Sequence, residues 1–171
     1  MSFSESLVPE FVEEMTNTRK MLECVPDGKF EYQPHQKSMT LGQLATHVAA
    51  LPGWAVTLLS TESLDLPADF KPELFQSRAE LLEKFDAGAS AARAKLAETS
   101  DEDWKRTWTF KFAGTTMFSN PKSAVMRSVV MNHLVHHRAQ LGVYLRLMDV
   151  AIPGMYGPSA DEASFAKAQA A

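Results

Sequence analysis

The segment 131-MNHLVHHRAQ-140 places three of the chain's five histidines within five residues of one another, in a stretch that otherwise reads as a helix. Each residue of an α-helix turns by about 100°, so positions three and four apart share a face. His133, His137 and Gln140 therefore fall together. Carried backwards, the same stripe passes through Val130, Val129 and Met126; carried forwards, through Tyr144, Leu147 and Met148. Ser128, Arg138 and Arg146 lie away from it. The expectation is a core-facing stripe with His133, His137 and Gln140 at its centre, His136 at its edge, and Arg138 in a packing or interface role.

Working outward, this helix should start behind Asn120-Pro121, with proline at the first helical position, and run to Met148. At ~1.5 Å per residue it would be about 40 Å long. Three more segments have helical periodicity. The first, Glu5 to Val25, repeats Leu7, Phe11, Met15, Leu22 and Val25 and stops at Pro26-Asp27-Gly28. The second opens on Thr40-Leu41-Gly42-Gln43, a capping box, and aligns Leu44, His47, Leu51, Trp54 and Leu58. Pro52-Gly53 within it should kink or end the helix. The third opens on a second box, Ser77-Arg78-Ala79-Glu80, and reaches Thr99 through Leu81, Leu82, Phe85, Ala89, Ala92 and Leu96.

Between the third and fourth helices, Trp108, Phe110 and Phe112 alternate with Thr109 and Lys111, and Ala113-Gly114 can turn into a second short strand. The tail 149–171 is rich in Pro and Gly, with a short helix expected from Ser159. Alternating βα units are absent, which argues against a parallel α/β sheet. The expected fold is all-α: a four-helix bundle with a small β-hairpin-like insertion before the last long helix, in a single domain over 1–171.

Composition narrows the function classes. With 171 residues and a formal net charge of −4, the chain lacks the basic footprint of a nucleic-acid binder. No apolar run reaches the ~18 residues that span a bilayer, and the N-terminus has no signal-peptide pattern, so a cytoplasmic protein with no membrane association is expected. Cys24 is the single cysteine, set in MLECV and read as a buried structural thiol; an internal disulfide and a cysteine-rich zinc site are excluded.

The histidines remain to be explained. A lone histidine on an apolar face is usually a hydrogen-bonded core residue. The i,i+4 pair His133/His137 is different, because two ring nitrogens one turn apart can converge on one ion, as in the helical HExxH motif. His47 faces the interior of the second helix and adds a third imidazole. No histidine has Glu three residues before it, so a di-iron bundle does not fit, and HExxH itself is absent. A plain bundle with satisfied core histidines stays open on this reading. Gln140 suits a hydrogen bond to a ligand or substrate, and equally to a buried imidazole. Tyr144 and Trp54 are candidates for a pocket wall or for core packing.

Taken together, LGQLATHVAALPGW, MNHLVHHRAQLGVYLR and the tail GMYGPSADE resemble the DinB/YfiT-like family of metalloproteins. The resemblance covers most of the chain, and its signal is HxxxHRxQ on the last helix with one histidine on the second. It implies a four-helix bundle, a homodimer, and a divalent metal, zinc or nickel, held by His47, His133 and His137. Some members of the family are thiol-dependent S-transferases that use low-molecular-weight thiols such as bacillithiol or mycothiol. It therefore implies a thiol cosubstrate and a small-molecule substrate, with a metal-dependent hydrolase, or a non-catalytic metal-binding stress-response or ligand-sensing protein, as the alternatives. It identifies no catalytic side chain beyond the ligands.

Overall fold

The computed structural model describes residues 1–162. In chain order the elements are α1 (Phe3–Glu23), α2 (Leu41–Ser60), β1 (Ser63–Leu66), α3 (Arg78–Glu98), α4 (Asp101–Lys105), β2 (Thr107–Phe112), β3 (Thr115–Pro121), α5 (Lys122–Val125), a π-helical segment (Met126–Asn132) and α6 (His133–Leu147). The protein is mostly helical, with one small three-stranded sheet. The short helix expected from Ser159 falls largely on residues 163–171, outside the described residues.

Local chemistry sets the helix starts. Thr40 Oγ1 accepts from the Gln43 amide at 3.2 Å, and Gln43 Oε1 accepts from the Thr40 amide at 2.9 Å, completing the expected box. Ser2 and Glu5 make the same reciprocal pair on α1. At α3 the box is only half made: Ser77 Oγ accepts from the Glu80 amide, but the Glu80 carboxylate takes the amide of Gln76 instead.

Pro52 does not end α2, which runs on to Ser60. Its neighbour Gly53 meets Gly88 of α3 so closely that a Cβ on Gly88 would lie 3.3 Å from Gly53 N. Small residues on both helices let the backbones approach at that level. α3 also packs on α1, and α6 packs on α2 and α1. The shared core includes Phe11, Leu51, Phe85 and Leu141, all essentially inaccessible. Burying side chains of this size contributes about 1.5–3 kcal/mol each.

The insertion holds more than the expected hairpin. β2 and β3 pair antiparallel around Ala113 (φ 49°) and Gly114 (φ 77°), both left-handed as a two-residue type I′ turn requires. β1 adds a third strand, parallel to β2, and α4 precedes β2. Two indole N–H groups pin this region. Trp104 Nε1 donates to Ser4 Oγ at 2.8 Å and Trp108 Nε1 to Thr61 Oγ1 at 3.0 Å.

The last long helix corrects the expected stripe. Pro121 is the N-cap of α5, not its first helical residue, and the π-helical segment then interrupts the α-helical count. Hydrogen bonds from i to i+5 widen that turn, yet Met126 and Val130 on the expected stripe are buried; the departure lies in α6 itself. The face of α6 that enters the core carries Leu134, Arg138, Leu141 and Leu145. His133 and His137 are half-buried beside it, Gln140 is exposed, and Leu147 is 59% exposed. The histidines therefore occupy the rim of the core and open toward solvent.

Arg138 is buried at 2% exposure and belongs to packing. Its guanidinium meets the Glu14 carboxylate at 2.7 Å and donates to Thr18 Oγ1 at 3.0 Å and Tyr156 Oη at 2.6 Å. The Tyr156 hydroxyl in turn donates to Glu14 at 2.8 Å, so tail, α1 and α6 close one ring of hydrogen bonds.

A candidate three-histidine metal centre

His47 stands on α2, and His133 and His137 begin α6, one turn apart. Their ring centroids are 4.9 Å (His47–His133), 4.6 Å (His47–His137) and 4.6 Å (His133–His137) apart. One nitrogen from each lies within 4.8 Å of the other two, and the three could hold a metal ion. His136 is exposed and stacks edge-on against His137 from outside, apart from this group.

Hydrogen bonds set the tautomers on α6. The His133 amide goes to Val130 O, while its ring Nδ1–H donates to Val129 O at 3.2 Å. A carbonyl can only accept, so the proton sits on Nδ1 and the Nε2 lone pair is free. His137 repeats this through Nδ1–H donating to Gln140 Oε1 at 2.8 Å. Metal-ligating histidines are oriented in this way, the second ring nitrogen being held by a carbonyl or carboxylate.

His47 Nε2 faces His133 Nε2 at 3.1 Å. Two lone pairs at that distance repel unless a proton or a cation lies between them. Nitrogens bound at ~2.0–2.1 Å around a tetrahedral ion would be about 3.3 Å apart, so a pair that shares a proton in the metal-free protein is also close enough to share a cation. The charge state agrees with this. Burial, and then the neighbouring imidazoles of His137 and His133, lower His47 to about 4. Burial also lowers His137, against the opposing effect of the hydrogen bond it donates to Gln140. Neutral imidazole is the form that binds metal. The donor set fits a divalent ion.

A cavity of about 430 Å³ opens beside His137, lined by Lys37, Ser38, Met39, Leu44, Gln140, Val143 and Tyr144. Gln140 is exposed at the mouth of this cavity, not at the centre of the core face, and Tyr144 lies half-buried in its wall. Trp54 does not line this cavity; it is half-buried and packs against the core. A second cavity, about 440 Å³, runs between α6 and the tail with no histidine in its wall.

The loop before α2 escaped sequence reasoning, having no periodicity. It is nonetheless fixed. Leu41 N donates to Tyr32 O and Gly42 N to Phe30 O, each at 2.8 Å, and Tyr144 Oη donates to Met39 O at 3.1 Å. A Cβ on Gly42 would come within 2.9 Å of Phe30 Cδ1, so glycine permits this close approach. The one sequence signal was Tyr144 itself, whose hydroxyl needed a partner from another element.

The sequence model for the DinB family matches residues 1–169. Over 145 residues the chain is 26% identical to the Uncharacterized protein YrdA of Bacillus subtilis (strain 168), covering 85% of this chain and 83% of that protein. Two crystal structures of DinB-like proteins share the fold. The one from Bacillus cereus has a TM-score of 0.67 and 23% identity, covering 89% of this chain and 97% of its own. The other, YjoA of Bacillus subtilis, has a TM-score of 0.68 and 18% identity, covering 88% and 96%.

Proposed function

Because the chain belongs to the DinB family, we propose that His47, His133 and His137 ligate a divalent ion, zinc or nickel, at the centre of a thiol-dependent S-transferase. The observation that carries this reading is the convergence of one ring nitrogen each from His47, His133 and His137 within 4.8 Å of one another. On this reading α1, α2, α3 and the last long helix form a four-helix bundle within a single domain, and the centre spans two of its helices.

When bound, a divalent ion on three neutral imidazoles keeps its full charge and supplies the electrostatics that favour thiolate over thiol, the nucleophilic form. The remaining work falls to the chain's own residues. Gln140 holds the proton of His137 on Nδ1 and so keeps Nε2 directed inward. Val129 does the same for His133. Met39, Leu44 and Val143 give the adjoining open cavity an apolar side against which a small electrophile can pack. Tyr144 fixes that wall by holding Met39.

Exposed Val143 and Leu147, each 59% accessible and one turn apart on α6, support a homodimer through this helix. Among the described residues no helix is long and apolar enough to cross a membrane.

The test is consumption of a low-molecular-weight thiol with an aryl halide by zinc- or nickel-loaded protein. Turnover is expected to require metal and to vanish in His137→Ala. Turnover that survives metal removal contradicts the proposal. Metal uptake without turnover across thiol and ester panels favours the non-catalytic binding module.

A further inference from the structure

Among the described residues Lys37 is the sole charged residue in the wall of the cavity beside His137, and no Asp or Glu joins it there. Among the described residues Lys37 makes no ion pair. Its loop is fixed before any ligand arrives. The Lys37 amide donates to His35 Nδ1 at 3.2 Å, the Ser38 amide to His35 O at 2.8 Å, and Gln33 Nε2 to Ser38 O at 2.6 Å. Gln140 spends Oε1 on His137, which leaves its amide N–H groups as donors into the same space. The rest of the wall is Ser38, Met39, Leu44, Val143 and Tyr144. Such a cavity has the size of a small-molecule site, with apolar sides, a few polar groups that fix orientation, and charge of one sign.

We propose that this cavity selects a small molecule with an anionic group on an apolar body, the anion meeting the Lys37 ammonium and its other end lying at the histidine cluster. Lys37 is then a specificity-determining residue. The inference rests on the three-histidine metal centre as the reacting site. The ammonium is exposed, so its contribution is modest and screened by salt.

The test compares 4-mercaptobenzoate with 4-mercaptobenzamide, which differ only in the anion, binding to zinc-loaded protein by titration calorimetry. The acid is expected to bind about three- to fivefold more tightly, the range exposed ion pairs reach. The preference should vanish in Lys37→Met, reverse in Lys37→Glu and shrink at high salt, with the affinity of the amide unchanged in Lys37→Met. Binding of both probes without preference, or a preference that survives Lys37→Met, overturns this inference and leaves the metal centre standing. Failure of the wild-type chain to take up zinc overturns the metal centre and this inference together.

Discussion

His137 Nδ1 donates to Gln140 Oε1 at 2.8 Å, which commits the Nε2 lone pair of His137 to the cluster. Residues that orient a ligating imidazole typically contribute ten- to a hundredfold in metal affinity. Gln140→Leu is expected to weaken zinc binding by about tenfold, while Gln140→Glu, which still accepts from Nδ1, retains it. Competition against a chromogenic chelator measures both. Equal loss in the two variants would remove Gln140 from this role.

The pH dependence follows from His47. Its folded value lies near 4, below the ordinary 6.5, so the unfolded chain binds the extra proton between these limits. The stabilisation is complete above pH 6.5 and is lost as the pH falls toward 4. For the metal-free protein, Tm should be flat above pH 6.5 and fall by roughly 5 °C toward pH 4. The fall should be smaller in His47→Gln. An identical profile in that variant would show that other groups set it.

Arg138, buried against Glu14, Thr18 and Tyr156, anchors the tail to α1 and α6. Arg138→Met leaves the Glu14 carboxylate without its cationic partner, with only the Tyr156 hydroxyl to meet it, a change expected to cost about 3 kcal/mol. Tyr156→Phe, which removes only the bridging hydroxyl, should cost about 1 kcal/mol. Urea unfolding gives both values, and their order is the point to check.

Ala113 holds φ 49° in the β2–β3 turn, a conformation that strains a side chain. Ala113→Gly should raise stability by about 1 kcal/mol without moving the histidine centre. A destabilised variant would contradict the turn geometry.

Much of this was legible in the sequence for specific reasons. Thr40-Gln43 and Ser77-Glu80 announced α2 and α3 because side chains there must satisfy orphan amides. The pairing of His133 with His137 was readable because both lie in α6, past the π-helical segment, where i,i+4 spacing holds. The backward stripe met buried Met126 and Val130, but the forward one, through Gln140 and Leu147, failed because the core face of α6 is the neighbouring Leu134, Arg138, Leu141 and Leu145, whose buried arginine reads as a surface residue in sequence. Ser63–Leu66 went unseen as a strand because four residues, none β-branched, carry no pattern until β2 pairs with them. Lys37 and Met39 could not be placed at the site at all, since the Tyr144 contact that brings their loop there spans 105 residues of sequence.

Zinc titration of metal-free protein, prepared without an affinity tag, tests the three-histidine centre most directly. One ion per chain is expected for the wild type and for His136→Ala. Uptake should be lost in His47→Ala, His133→Ala and His137→Ala. No uptake by the wild type, or loss in His136→Ala equal to that in His137→Ala, would contradict a centre built from His47, His133 and His137.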